Sequence, residues 1–488
     1  MFAAGIDAGT TGVKCTVFDE NLTALSHAYR EYETISPCEG MYEIDPSRVL
    51  NCTLEVISEA VAKSGTTQID AMCFTSFGES FVCLDENDNP LSRFMLYIDK
   101  RGSDSCKILD DKIGAEKFYE ITGQLVDPMF SIFKMHTLAN SDSNIFKITK
   151  KICFVADYLA YSLGADHKCE YSLASRSGMF DIKNKKWCDE YIEFAGITRE
   201  MLPTPISTGT PVGTINNEIA NKLGITSNTI LILGGQDQVC AAIGSGAIKS
   251  GDIANGMGTV DCMTLVVDDS INKKIMLENG LTLVPYIKDG LYVTYAVNYT
   301  GGSILRWFRD TFAAELCGKD NSYSILDNEA NDKPSNITVI PSFARTDIPA
   351  CITGISLSTK RSEIYRAFLE GETFEMKTYL NILITAGATP TRIITVGGGA
   401  KSDLWMQIRA DILNKEILIP ERTEAGTLAA ALICFMNLGV YSSIDDAQTA
   451  SIRFNKNYSP NNNNSVIYEK SYERYLKTYK LSKELYND

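Results

Sequence analysis

The segment that most limits the fold lies at the start of the chain. Ala3-Ala4-Gly5-Ile6 is short and apolar, Asp7-Ala8-Gly9-Thr10-Thr11-Gly12 is small and glycine-rich, and Val13, Cys15 and Val17 then alternate over residues 13–18. This reads as a buried strand, a tight turn and a second strand, followed by a turn at Asp19-Glu20-Asn21 and a third strand over 24–34. P-loop and Rossmann sites need their glycine turn to open a helix. Here the turn opens a strand, and neither Gly-x-x-x-x-Gly-Lys-Ser/Thr nor Gly-x-Gly-x-x-Gly occurs. Both nucleotide folds are disfavoured.

Later segments supply helices and further strands. Asp45 suits an N-cap and Pro46 a first helical turn, with Leu50, Leu54, Ile57 and Val61 at helical spacing. A strand over 69–74 leads into Ser76-Phe77-Gly78-Glu79. Residues 229–233 form an apolar run bounded by Gly234-Gly235 and read as a fully buried strand. Residues 392–396 before Gly397-Gly398-Gly399 repeat that scheme. Ser402 can cap a helix carrying Leu404, Trp405, Ile408 and Ile412, another helix spans 428–438 before Gly439, and the Asn-rich stretch 455–464 reads as a loop before a polar helix. A glycine-rich junction from Gly244-Ser245-Gly246 to Gly251 divides the chain into two lobes. The second opens on residues 253–260, which echo the small-residue turn of 7–12.

Composition narrows the function. With 488 residues the chain exceeds one ordinary domain, and no stretch approaches a membrane span. No signal-peptide core precedes Asp7, so an intracellular protein is expected. The 46 basic and 61 acidic residues leave a net charge of −15, which disfavours nucleic acid and anionic membranes as partners. Small anions remain possible ligands through backbone N–H groups. The 14 cysteines are scattered without a Cys-x-x-Cys and read as small buried hydrophobes. With three histidines, His27, His136 and His167, a zinc centre or a histidine-based hydrolase is disfavoured.

Three glycine-rich segments can carry chemistry. In residues 7–12 the glycines allow close approach of N–H groups to a phosphate, Lys14 adds charge, and Asp7 can hold magnesium directly or through water. The same residues suit a plain hairpin turn. Asp237, in Gly234-Gly235-Gln236-Asp237-Gln238, stands beyond a buried strand where α/β sheets bind ligands, the two glycines leaving room for a substrate. It also suits an ordinary N-cap. Gly397-Gly398-Gly399 offers a flat surface for a planar base, or a strand-to-helix connection. Phe77-Gly78-Glu79 and Asp99-Lys100-Arg101 put polar groups after apolar runs, as an exposed salt-bridged face also would.

Together these segments resemble the FGGY carbohydrate kinases, the family of glycerol kinase, xylulokinase and gluconokinase, over roughly residues 3–440. Residues 5–14 resemble the first phosphate motif, shared with actin-like ATPases. Residues 234–238 resemble the catalytic-aspartate segment, and Gly256-Met257-Gly258-Thr259 the second phosphate motif. Residues 397–402, Gln407, Asp411 and 424–431 resemble the adenosine segment.

The resemblance implies an α/β fold of two ribonuclease-H-like, actin-like ATPase lobes with an interlobe cleft. Residues 1–246 would form the sugar-binding lobe with the first phosphate motif, and 247–488 the ATP-binding lobe. The implied activity is ATP-dependent phosphorylation of a sugar or polyol hydroxyl, a pentulose or related ketose or polyol first, in the cytoplasm, with ATP and Mg2+. No nucleic acid or membrane partner is implied, and a homo-oligomer is compatible. Asp237 would be the general base and touch the substrate, Asp7 would place the metal, and Gly9, Thr10, Thr11, Lys14, Gly258 and Thr259 would hold phosphates. Gly398, Gly399, Ala400 and Ser402 would meet the adenosine, and Gly78, Glu79 and Asp99 the substrate. Phe77-Gly78-Glu79-Ser80 lacks the arginine of the Gln-Arg-Glu in glycerol kinase and differs from the Gln-Met-His-Gly of xylulokinase, so Gly78 is expected to leave room for a substrate longer than glycerol. Tyr97 replaces a usual tryptophan, and the segment 345–354 is shorter than in most members. Two other readings are an actin-like ATPase of chaperone or activator type and a non-catalytic sugar-binding regulator.

Overall fold

In the computed structural model, which describes residues 1–141, 145–330, 333–343, 348–422 and 424–485, the opening segment forms a hairpin. β1 (Phe2–Ala8) runs antiparallel to β2 (Gly12–Asp19), with Asp7 opposite Lys14. β3 (Ala24–Glu31) pairs with β2 and stops short of residue 34. α1 (Pro46–Ser64) starts as its sequence dictates: Asp45 Oδ1 accepts from the amides of Ser47 and Arg48 at 2.8 and 3.4 Å. Its buried stripe is Val49, Cys52, Val56, Ile57, Ala60 and Val61, laid against β2 and β3. Leu50 and Leu54, expected on that face, are half-buried at its margin, because each lies about 100° round the helix from Val49 and Thr53.

β4 (Ala71–Ser76) runs parallel to β1 and is buried throughout. After α2 (Ser131–Ala139) and β5 (Pro211–Thr214) comes β6 (Ile230–Gln236), parallel to β4. The sheet order is β5-β6-β4-β1-β2-β3. β6 does not end at Gly234-Gly235. A bulge between Leu233 and Gly235 lets pairing continue to Gln236 opposite Ser76, and α3 (Asp237–Ser245) begins at once. Gly244 and Ser245, expected in a junction, are the last turn of α3.

The same scheme recurs further on. β7 (Asp252–Met257) is antiparallel to β8 (Asp261–Asp268), and after α4 (Arg361–Thr385), β9 (Arg392–Val396) is parallel to β7. Beyond α5 (Asp403–Leu413), β10 (Glu416–Pro420) is parallel to β9. α6 (Ala425–Asn437), with residues Ala425–Phe435 buried, lies against β1, β4 and α3. The Asn-rich stretch is not a loop. It supplies β11 (Phe454–Tyr458), which satisfies its backbone against β10, and Asn461, the cap of α7 (Asn462–Glu484). The α5 helix is capped by Ser402 and packs between α4 and α7.

By packing, the chain forms two units. One comprises Met1–Ile248, Met276–Thr294 and Glu424–Ile452, the other Lys249–Ile275, Tyr295–Thr423 and Arg453–Asp488. No described helix is long and apolar enough to cross a membrane.

The α3–α6 contact depends on absent side chains. A Cβ on Gly244 would collide with the Ala425 carbonyl, and one on Gly5 with that of Thr427. Gly244→Ala is therefore expected to lower stability by about 1–3 kcal/mol or more, as overpacking does. Gly256→Ala, whose Cβ would meet nothing within 4 Å, should stay within about 0.5 kcal/mol. Thermal melting of the two variants checks this, and equal melting points would show that the helices do not depend on the contact.

Candidate active site

The first unit gathers its carboxylates at the C-terminal ends of three adjacent parallel strands. The register sets Ala8 and Gln236 on either side of Ser76, so Asp7, the turn bearing Glu79 and Asp237 all follow from one sheet edge, the position where open α/β sheets bind ligands. Asp7 is paired with Lys14 at 3.3 Å, and Lys14 also reaches Glu424 at 3.2 Å. Burial raises the pKa of Asp7, and Lys14 offsets part of that. Burial works against the charge of Lys14, but Asp7 and Glu424 outweigh it and the net shift is upward. The α6 terminus closes over the pair: a Cβ on Gly426 would stand 2.5 Å from Asp7 Oδ2. Residues 424–431, expected beside adenosine, thus belong to the Asp7 motif and the first unit. In the β1–β2 turn the Gly9 amide donates to the Gly12 carbonyl at 2.9 Å, and the Tyr32 hydroxyl donates to the Gly9 carbonyl. Gly9 is therefore not an open donor as expected. The amides of Thr10 and Thr11 have no partner among the described residues.

Asp237 is the first residue of α3, and Gln236, not Asp237, is the cap. Gln236 Oε1 accepts from the amides of Gln238 and Val239, while its Nε2 donates to Asp237 Oδ1 at 2.6 Å. The Gln238 amide donates to the same oxygen at 2.7 Å. Burial, and then the charges of Asp7 and Glu79, push the Asp237 carboxyl up to about 8. The preceding glycines do not make room for a ligand. A Cβ on Gly234 would sit 2.9 Å from Cys73 Sγ, and one on Gly235 2.6 Å from Glu170 Oε2. They serve packing beneath the site.

Glu79 is buried and holds a left-handed backbone, φ 60°, unusual for a residue with a side chain. Its Oε1 accepts from Arg176 Nε, and Arg176 Nη1 donates to Gln124 Oε1 at 3.1 Å. The space beside Gly78 is filled by Arg176, whose Cγ would lie 3.2 Å from a Cβ there. So the arginine missing from the Phe77–Ser80 motif has a replacement from a distant segment, and the expected extra room is absent. Lys134, on α2, donates to the carbonyls of Glu79, Met95 and Leu96 at 3.1, 3.2 and 2.7 Å. Burial lowers its pKa to about 7. Asp99 has no exposed surface. Oδ1 accepts from the Arg101 amide and Nε, and Oδ2 from the Tyr42 amide and Arg101 Nη2, at 2.8–3.0 Å. Four donors saturate it, so Asp99 orients Arg101 and its loop instead of accepting a substrate hydroxyl. Arg176, Gln124 and Lys134 escaped the sequence reading. Their signals were a lone arginine in Ser172-Leu173-Ala174-Ser175-Arg176-Ser177 and a lysine inside the apolar Ile132-Phe133-Lys134-Met135.

In the second unit a cavity of about 420 Å³ is lined by Gly258, Thr259, Gly398, Gly399, Lys401 and Ser402, with Tyr323, Asp327, Tyr365 and Trp405 among its other walls. Five of the expected adenosine and phosphate positions therefore meet, Gly258, Thr259, Gly398, Gly399 and Ser402. Ala400 is buried and does not line it. The Gly258 amide donates to the Val260 carbonyl at 3.0 Å, repeating the Gly9 arrangement, so this glycine too is engaged. The β7–β8 hairpin is held from below by a fully buried network: Arg409 donates to Asp261 at 2.6 Å and to Asn255 at 2.8 Å, and Asn255 donates to Asp261 at 2.6 Å. Gln407 and Asp411 lie away from the cavity lining. Asp411 accepts from Gln407 Nε2, the Asn461 amide and Asn464 Nδ2, each at 2.8 Å, and so secures the start of α7. Of the segment 345–354, residues up to 347 lie outside the described residues.

Comparison with known proteins agrees with this layout. The N-terminal domain model of the FGGY family of carbohydrate kinases matches residues 2–244, and its C-terminal domain model matches 253–438. A gluconokinase of Bacillus subtilis is 28% identical over 461 residues, covering 91% of this chain and 89% of its own. A xylulose kinase of the same organism is 25% identical, with 99% and 98% covered. The crystal structure of a ligand-bound xylulose kinase from Lactobacillus acidophilus superposes with a TM-score of 0.91 at 24% identity, over 100% of this chain and 99% of that one. The fold is thus the two-domain ribonuclease-H-like fold of these kinases. With both domain models matched in order along most of its length, the chain belongs to the FGGY family of carbohydrate kinases and is an ATP-dependent sugar kinase.

Proposed function

We propose that this kinase transfers the γ-phosphoryl group of ATP to a hydroxyl of a pentulose or a related ketose or polyol, with Asp237 as the general base. The observation that carries the reading is the Asp237 carboxylate: Oδ1 is held by Gln236 and Gln238, while Oδ2 has no hydrogen-bond partner among the described residues. One oxygen is fixed and the other is left to take a proton. A pKa near 8 suits a base working near neutrality, where such a group contributes roughly 10²–10⁴-fold. The names of the relatives, a gluconokinase and a xylulose kinase, support a substrate among sugars and their acids.

The first unit, residues 1–246 in the main, would take the sugar, and the cavity of the second would take ATP. Thr10, Thr11 and Thr259 would offer amides to phosphate oxygens, and Lys14 positive charge, which lets an acidic chain hold an anion. Gly398, Gly399 and Ser402 would border the adenosine. Asp7 would hold a magnesium ion, which when bound would supply charge neutralisation for the phosphate groups. The residues fit that mode. The described residues hold no cluster of three or more ligating side chains, and magnesium typically keeps waters and takes one or two carboxylates besides the phosphates. Asp7, whose pKa burial has raised, would supply one.

Two outcomes follow. Asp237→Asn should lower kcat by roughly 10²-fold or more and abolish the rise of kcat/KM with pH expected through about 8 in the parent enzyme. Because the folded-state pKa lies above the ordinary 3.8, the stability that Asp237 contributes is present below that value and lost as pH rises through about 8. The Asn variant should therefore melt no lower than the parent at pH 8, and a folded variant with normal turnover would remove Asp237 from the mechanism. Asp7→Ala should impair phosphoryl transfer and flatten the dependence of rate on free magnesium. Full activity with an unchanged magnesium titration would end the metal assignment.

A further inference from the structure

Resting on the reading of Asp237 as the general base, we propose that Ser172, oriented by Glu170, is a positioning residue for that base and acts through the backbone amide of Gln236. The bulge between Leu233 and Gly235 interrupts the regular ladder of β6 with β4. A bulge takes backbone groups out of the ladder and re-aims the residues that follow. Here the peptide joining Gly235 to Gln236 is held by two hydroxyls from distant segments. The Gln236 amide donates to Ser172 Oγ at 2.9 Å, and the Gly235 carbonyl accepts from Thr75 Oγ1 at 2.9 Å. One hydroxyl thus fixes each side of the peptide. Gln236 and Asp237 follow at once, so its tilt sets where α3 starts and where the Asp237 carboxylate stands.

Glu170 commits Ser172 to this role. Glu170 Oε2 accepts from the amides of Ser172 and Leu173 at 2.8 and 3.3 Å, and its Oε1 accepts from Thr208 Oγ1 at 2.6 Å. The Ser172 hydroxyl donates to the same Oε2, so what it turns toward Gln236 is an oxygen lone pair. Thr75, Glu170 and Ser172 have no exposed surface, which leaves water no part in holding the peptide. Gly235 permits the approach. Its φ of 113° favours glycine, and a Cβ there would stand 2.7 Å from Ser172 Oγ. Backbone in such a region persists where its surroundings over-determine it, and the two hydroxyls do so.

The test is a double-mutant cycle on kcat, with folding followed by thermal melting. Ser172→Ala should lower kcat by roughly 10- to 10²-fold, the scale of a misplaced reacting group. ADP affinity measured by calorimetry should stay within about 2-fold of the parent. In an Asp237→Asn background the same change should cost nothing further, because Ser172 acts through that carboxylate. Thr75→Val removes the hydroxyl on the other side of the same peptide and should behave alike, which keeps the test open where Ser172→Ala does not fold. A loss of kcat by the same factor in both backgrounds would overturn the proposal, and so would a normal kcat in the folded variant. With Asp237→Asn slow, either result counts against the role of Ser172 alone. A normal rate in Asp237→Asn would overturn the base assignment and this proposal with it.

Discussion

A carboxylate placed at the end of a buried strand is held against its preference for water, and the first unit is organised around paying that cost with groups from far along the chain. Asp7 leans on Lys14 from the next strand and is roofed by the α6 terminus. Glu79 leans on Arg176 and, through its carbonyl, on Lys134. Asp237 receives only two neutral donors, and the two other carboxylates push it further from ionisation. Asp237 is the least compensated of the three, because no cation hydrogen-bonds to it among the described residues. Removing any of these partners would change the proton affinity of Asp237 as well as the local packing.

The second unit uses the same order of strands for a different electrostatic purpose. Its hairpin carries a carboxylate too, Asp261, but Arg409 and Asn255 consume it completely in the interior. What remains at the turn is backbone and the side chains of Thr259 and Val260, beside a cavity bordered by glycines and aromatic rings. Such a surface suits a planar base and a phosphate chain, as the other suits a hydroxyl and its proton.

Local chemistry was readable from the sequence wherever neighbouring residues decide it. The Asp45 and Ser402 caps, the strand–turn–strand opening and the buried run before Asp237 follow from patterns a few residues long. What escaped depends on contacts across tens to hundreds of residues. The glycines at 234 and 235 look like room for a ligand until Cys73 and Glu170 are seen against them. Asp99 is a short-range exception: it looks like a reader of hydroxyls until Arg101, two residues on, supplies three donors and the distant Tyr42 amide a fourth. Gly78 looks like a vacancy until Arg176 occupies it. Residues 424–431 match a nucleotide segment in type, but their small side chains serve a helix pressed on β1 and α3.

That helix also bears on how the chain is made. A ribosome releases β1 to β6 and α3 long before α6, yet α6 is the element that covers β1 and β4. Until residue 437 has emerged, the apolar surface of β1, β4 and α3 that α6 covers lacks that partner, and nearly nine-tenths of the chain must be synthesised before it has it. Exposed surface of this kind is what nascent chains lose to aggregation and chaperones shield. The late return of the chain to its first unit therefore makes the nascent half-molecule dependent on speed and protection in a way that the finished kinase is not.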